Sequence, residues 1–227
     1  MDLGFSEEQM MLRDMTRKIC DEMMPLTALR EHEGTEPGYS TPFWQQLGEL
    51  GLTGITIEEK YDGMGLGAVE SSIVAEEFGR ALAVSPYLVS SVLAAGLIEH
   101  AGNEQQKAGW LGPIARGASV LSVAASEPGN GADREGIVAS IKRSEDAVVL
   151  SGAKHLVPFA ATADGLLVLA RLEGGAGEVV AVVVERESLD SGIADGAVRM
   201  AYQANHARDP LYSIKFENLQ LPQEQLL

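Results

Sequence analysis

The spacing of apolar residues changes its period once along the chain. Up to residue 118 it is helical: Ser6-Glu7-Glu8-Gln9 has the form of a capping box, and Leu12, Met15, Ile19, Met23 and Leu26 recur behind it at helical intervals. Ser40-Thr41-Pro42 predicts a second helix, because proline is tolerated in a first turn where its missing N–H would have no partner anyway. A third is predicted from Ala68 to Leu82, with Val69, Ile73 and Phe78 on its apolar side. Ser85-Pro86 opens a fourth that closes at Ala101-Gly102, and Asn103 caps a fifth carrying Trp110 and Ile114.

Beyond residue 118 the apolar runs shorten and β-branched residues take over. Strands are predicted at Ser119 to Ala125, Gly136 to Arg143, Ala147 to Leu150, Lys154 to Val157, Leu166 to Arg171, Val179 to Glu185, Gly196 to Ala201 and Tyr212 to Phe216. Dense short strands without intervening helices predict an antiparallel barrel or sandwich. The expected fold class is therefore α+β in two domains, an all-α helical domain over 1–118 and an antiparallel β domain over 119–227.

Composition narrows the function classes. A chain of 227 residues, 45% of them hydrophobic, can bury a substantial core. No apolar run approaches the roughly 18 residues that cross a bilayer, and the opening Met-Asp-Leu-Gly-Phe-Ser-Glu-Glu has neither a basic region nor an apolar signal core. The single cysteine, Cys20, cannot form an internal disulfide, so a reducing cytoplasm is the expected compartment. A formal net charge of −16 argues against nucleic acid and anionic membranes as partners. It leaves open small phosphate-bearing ligands held by backbone N–H groups.

Several chemistries lack their sequence context. Gly63-Met-Gly-Leu-Gly-Ala68 matches a dinucleotide fingerprint and precedes a helix, yet a charged stretch separates it from the run before it and no ribose-binding acid follows a second strand. Glycines in a tight loop are the simpler reading. His32, His100, His155 and His206 are scattered, so no metal site is expected, and no Gly-x-Ser-x-Gly elbow is present. What remains is a pair of segments: Ser122-Val-Ala-Ala-Ser-Glu-Pro-Gly-Asn-Gly-Ala-Asp133, an apolar strand that runs into a hydroxyl, an acid and a turn, and Gly152-Ala-Lys-His-Leu-Val-Pro-Phe-Ala160.

Five stretches together resemble the first two domains of the acyl-CoA dehydrogenases. They are Phe5-Ser-Glu-Glu-Gln9, Glu59-Lys-Tyr-Asp-Gly-Met-Gly-Leu-Gly67, Glu76-Glu-Phe-Gly-Arg80, Ala101-Gly-Asn-Glu-Gln-Gln-Lys107 and Ser126-Glu-Pro-Gly-Asn-Gly-Ala-Asp133. The resemblance implies an FAD-dependent oxidoreductase of fatty-acid or lipid catabolism that dehydrogenates an acyl-CoA thioester and passes electrons to an electron-transfer flavoprotein. By the same resemblance Val123, Ala125 and Ser126 offer backbone groups and a hydroxyl to the flavin. Gly131 and Ala132 lie by the pyrophosphate and the acyl-CoA, and Leu156, Val157 and Pro158 form the flavin wall. Pro86, Val89 and Leu93, three and four residues apart, would share a helix face and line the acyl pocket.

Two departures from the family pattern shape the expectation. Ala132 stands where a hydroxyl is common, and Pro158, which has neither hydroxyl nor N–H, stands where Thr or Ser is common. Family members also carry a C-terminal helical bundle with the catalytic glutamate and the oligomer contacts, and no glutamate here occupies that position. The chain alone is therefore expected to be inactive and to retain FAD poorly. The alternatives are a non-catalytic subunit of a hetero-oligomeric dehydrogenase and a flavin oxidase or monooxygenase of the same fold.

Overall fold

Helix boundaries follow the capping chemistry written in the sequence. The structure, a computed structural model, describes residues 4–32, 35, 37–131, 133–175, 177–205 and 209–227. Helix α1 (Glu7–Met23) begins at Ser6, whose hydroxyl accepts the Gln9 N–H at 3.2 Å while Gln9 Oε1 accepts the Ser6 N–H at 3.0 Å. It stops before Pro25, and α2 (Leu26–His32) restarts behind the proline, so Leu26 belongs to a separate helix. Helix α3 (Thr41–Glu49) is capped by Ser40, and α4 (Ala68–Ala81) ends on Leu82 in left-handed geometry at φ 54°. The fourth expected helix is divided: Tyr87–Ala94 winds as a π-helix and only Ala95–Ala101 as the α-helix α5, followed by α6 (Glu104–Ala115). Gly63 closes the loop that resembled a dinucleotide fingerprint, where a Cβ would lie 2.0 Å from the Ile57 carbonyl oxygen.

The chain divides into two compact units, residues 1–99 with 107–119 and residues 100–106 with 120–227. In the first, Phe43, Phe78 and Tyr87 meet edge to face at centroid distances of 5.5 and 5.2 Å. The Tyr87 hydroxyl lies 3.1 Å from Ser71 Oγ, and burial pushes its phenol up to about 12. On α4 the buried positions are Ser71, Ile73, Val74, Glu77 and Phe78. Val69, expected on this face, is exposed.

A buried carboxylate joins α1 to α4. Glu77 accepts from Arg17 at 2.7 and 3.0 Å and from Arg80 at 2.6 Å, and Arg80 also reaches Asp21 on α1 at 2.7 Å. The Arg17 hydrogen bond, reinforced by Arg80 against the opposing effect of burial, holds Glu77 below the usual carboxylate range.

The second unit is a curled, mixed sheet of seven strands among the described residues, in the order β1-β4-β2-β3-β7-β6 with β5 added beside β4. Its strands are β1 (Leu121–Ala124), β2 (Ser140–Arg143), β3 (Ala147–Pro158), β4 (Gly165–Leu172), β5 (Val179–Glu185), β6 (Val198–Gln203) and β7 (Leu211–Pro222). Two of the expected strands are one, because Ala147–Pro158 runs on through its glycine. Helix α7 (Arg186–Asp195) intervenes between β5 and β6, where no helix was expected. The expected helical unit followed by a mainly antiparallel β unit is what the chain forms, with one difference in detail: β1 and β2 both run parallel to β4, so the sheet is mixed. The cause lies in the use of β4's two edges. Strand β5 takes one edge throughout, at Gly165 to Arg171, while β1 occupies the other at Gly165 to Val168 and β2 takes over at Arg171 and Leu172. The segment 125–139 therefore leaves the sheet between two strands that share one edge. The core beneath comprises Ile141, Val148, Leu150, Val157, Leu166, Val168, Val182, Val184, Ile214 and Phe216 among others.

Glu77→Gln should lower the unfolding free energy at neutral pH by about 1–3 kcal/mol, since it removes charge-assisted bonds from a buried acceptor. Because the folded pKa of Glu77 is depressed, its contribution is complete above the unfolded carboxylate value of about 4.3 and is lost as pH falls through the lower folded value. Urea unfolding of both proteins across acidic pH should show the difference closing. A gap that persists undiminished in acid would show that the carboxylate's charge does not tie the helices.

Candidate functional site

The two segments singled out in the sequence lie side by side in the second unit. Ser122 Oγ donates to the Pro158 carbonyl oxygen, and the His155 N–H donates to the Ser126 carbonyl oxygen at 3.0 Å. The end of β1 thus runs along the end of β3 in the opposite sense. Val123, Ala125, Ser126 and Pro158 are half-buried, Leu156 is exposed, and Val157 is buried in the sheet core. The side chain of Val157 is therefore committed to packing. Its neighbours Leu156 and Pro158 form an apolar rim beside the backbone and hydroxyl of Ala125 and Ser126.

The loop between β1 and β2 is fastened by an ion pair in the interior. Lys154 Nζ donates to Glu127 Oε1 at 2.6 Å and to the Ala125 carbonyl oxygen at 3.1 Å. The Glu127 carboxylate also accepts the N–H groups of Val138 and Ala139, each at 3.0 Å. Lys154 is 0% exposed and Glu127 3%. Burial works to raise the Glu127 pKa, but the Lys154 ammonium and the two N–H donors outweigh it and hold the carboxyl below its usual range. Burial lowers the Lys154 pKa against the pull of Glu127. Glu127, so engaged, is a structural anchor and no candidate base.

Outside that anchor the loop closes on itself. Asp133 Oδ1 accepts the Gly136 N–H at 2.9 Å, and a Cβ on Gly136 would lie 2.0 Å from the Gly131 carbonyl oxygen, so this turn admits only glycine there. Arg171 on β4 clamps it from below, donating to the carbonyl oxygens of Ile137 at 2.5 Å and Arg134 at 2.8 Å. Gly131 is exposed at the tip. Ala132 lies outside the described residues.

In the helical unit, the π-helical turn changes how Pro86, Val89 and Leu93 are arranged. A π-helix has more residues per turn than an α-helix, so intervals of three and four no longer define one face. Pro86 and Val89 are buried, and Leu93 is 48% exposed. Among the described residues no cluster of His, Cys, Asp and Glu could hold a metal ion.

Three residues whose contacts shape the candidate site escaped the sequence reading. Lys154 occupies the same alternation parity as the inward-facing Val148 and Leu150, a pattern that marks a buried lysine in need of a partner. Glu127 is separated from it by a long loop, and no local signal pairs the two. Gln203, at the end of β6, accepts the Leu156 N–H at 2.8 Å through Oε1, and no motif announces it.

The residues present suit a flat heterocycle with an apolar face and a hydrogen-bonding edge. Leu156 and Pro158 supply the apolar side, and the Val123 to Ser126 backbone with the Ser126 hydroxyl supplies the polar one. FAD carries such a ring, and these groups fit it, except that Pro158 can donate nothing.

Comparison with known proteins points the same way. Residues 6–118 match the sequence model described as "Acyl-CoA dehydrogenase, N-terminal domain". Mitochondrial isovaleryl-CoA dehydrogenase of Bos taurus is 34% identical over 173 residues, 75% of this chain and 40% of that protein. The solved structure of an acyl-CoA dehydrogenase complexed with FAD from Bacillus anthracis aligns with a TM-score of 0.83 at 27% identity, over 99% of this chain and 38% of that one. A variant of the Tcur3481-Tcur3483 steroid ACAD aligns with a TM-score of 0.81 at 26% identity, over 94% of this chain and 56% of its own. The chain thus spans less than half the length of the curated relative it matches.

Lys154→Met should destabilise the β unit by about 3–5 kcal/mol, because it leaves a carboxylate buried without its counter-charge. Adding Glu127→Gln should recover most of that loss, since the amide oxygen still accepts from Val138 and Ala139. Chemical denaturation of the single and double variants checks this. A double variant as unstable as Lys154→Met alone would locate the damage in packing.

Proposed function

This chain belongs to the acyl-CoA dehydrogenase family, and we propose that it contributes the flavin-facing wall of an FAD-dependent enzyme that dehydrogenates an acyl-CoA thioester between Cα and Cβ. The observation that carries the reading is the pair of hydrogen bonds, Ser122 to Pro158 and His155 to Ser126, that sets the two candidate segments side by side. In this reading the backbone at Val123 and Ala125 and the Ser126 hydroxyl hold the ring's polar edge, and Leu156 with Pro158 covers its face. The Gly131 turn faces the phosphates. Bound FAD would supply the acceptor for the hydride that leaves Cβ as a base takes the Cα proton. The base is assigned to no residue of this chain.

The remaining assignments follow from the same reading. Pro86, Val89 and Leu93 would contribute to the acyl side, with the exposed Leu93 the one able to touch a ligand without repacking. The electrons would pass to an electron-transfer flavoprotein, in an oligomeric enzyme of the cytoplasm. Among the described residues no helix is long and apolar enough to cross a membrane. A second reading, a non-catalytic partner in a two-component dehydrogenase, is favoured by Pro158, which removes both donors that a residue there could aim at the ring. In either case the chain by itself would hold FAD weakly and leave acyl-CoA unchanged.

Titration of FAD with the purified chain, followed by flavin fluorescence, tests the reading. Ser126→Ala should weaken binding and Pro158→Thr should strengthen it, each by roughly threefold to tenfold, the worth of one hydrogen bond. No change in fluorescence at saturating protein would remove the flavin site, and tight binding unaffected by Ser126→Ala would move it elsewhere.

A further inference from the structure

Strand β3 contains an extra residue beside the candidate site, and an unusual one. Lys154 pairs with Ile214 of β7 and Val157 with Tyr212, so His155 and Leu156 together face the single residue Ser213. Within this bulge Leu156 takes φ 52°, a left-handed conformation that branched and bulky residues avoid. A second irregularity along the same two strands makes the contrast. There the extra residue lies in β7, and the left-handed position is Asn218 at φ 55°, a residue type that tolerates it, bonded through its N–H to Ser151 Oγ at 3.2 Å. A strained leucine with half its surface exposed, at the rim of a candidate site, is a position held by its surroundings and not by its own preference.

The two backbone donors of the bulge find partners away from β7, each a different one. The His155 N–H turns to the Ser126 carbonyl oxygen, on the candidate loop. The Leu156 N–H turns to the Gln203 carboxamide oxygen at 2.8 Å. Gln203 can reach it because it pairs with Leu211 on one edge of β7, while Pro158 pairs with Leu211 across the other. Its side chain thus spans β7 to a strand two removed.

We propose that Gln203 is a positioning residue for the flavin wall: by accepting the Leu156 N–H it locks the β3 bulge in the left-handed conformation that presents the Leu156 side chain outward to the ring. The inference rests on the proposed flavin reading and adds to it a residue that makes no contact with the ligand. Without the acceptor, the Leu156 N–H loses the bond that offsets the strain at that residue, and the bulge can relax into conformers that turn the leucine away.

The experiment uses the purified chain, FAD as the probe and three variants. Gln203→Leu removes the acceptor at similar volume, Gln203→Glu keeps an acceptor oxygen, and Leu156→Ala removes the presented side chain. Gln203→Leu should bind FAD about tenfold more weakly, raise amide hydrogen exchange at Leu156, and leave the melting temperature close to that of the unmodified chain. Gln203→Glu should restore both binding and protection. In the Leu156→Ala background, Gln203→Leu should cost little further affinity, because the side chain it positions is gone. Equal FAD affinity for the unmodified chain and Gln203→Leu would overturn the inference while leaving the flavin reading standing. So would equal losses from Gln203→Leu with and without Leu156. Absence of FAD binding by the unmodified chain would overturn the flavin reading and this inference with it.

Discussion

Everything about the candidate site depends on one buried contact, the ion pair between Glu127 and Lys154. Removing two charges from water costs several kcal/mol per ion, and the attraction between them offsets this only when their remaining hydrogen-bonding capacity is satisfied. Here it is met from the loop itself. Glu127 sits at the start of the excursion between β1 and β2, the Val138 and Ala139 N–H groups lie at its end, and Lys154 rises from β3 to reach both the carboxylate and the Ala125 carbonyl oxygen. One carboxylate therefore fixes both ends of the loop and its distance from the neighbouring strand. An apolar pair could fill the same volume, but it could not specify which backbone groups meet.

The helical unit uses the same chemistry for a different purpose. Glu77 is as buried as Glu127, yet its partners Arg17 and Arg80 are partly exposed, at 46% and 39%. Their guanidinium groups keep contact with water, so the network fastens two helices without enclosing both charges. In the β unit both partners are enclosed. Such a contact tolerates loss of one member poorly, which suits a loop that has to keep a fixed shape.

How far the sequence revealed this structure depended on whether a signal was local. The Ser6 and Ser40 caps and the run at Ala68 to Ala81 were legible because capping and periodicity act within a few residues. The break at Pro25 is equally local, but the helical spacing of Leu26 masks it. The sharing of β4's edge by β1 and β2 was hidden, since strand direction depends on connections between distant segments. Helix α7 was missed because its apolar face is short, with Leu189 and Gly192 the buried positions. The segments at Ser122 to Asp133 and at Gly152 to Ala160 stand out as two motifs, and the fold sets them side by side. The Glu127–Lys154 pair and the reach of Gln203 do not stand out, because each joins residues that only folding brings together.

Pro158 shows where the fold leaves chemistry free to vary. It is the last residue of β3, where the ladder ends and a missing N–H removes little, and its carbonyl oxygen still receives Ser122 Oγ. The next residue, Phe159, resumes hydrogen bonding by donating to the Pro210 carbonyl oxygen at 2.7 Å. The backbone therefore passes through position 158 without relying on its side chain or its N–H. A ligand on this rim would depend on both, so a proline here leaves the architecture intact and limits what the surface can offer. Affinity and electronic tuning at such a site can diverge without any cost to stability, whereas the neighbouring Leu156, held in a strained conformation by Gln203, is bound to the geometry of the bulge.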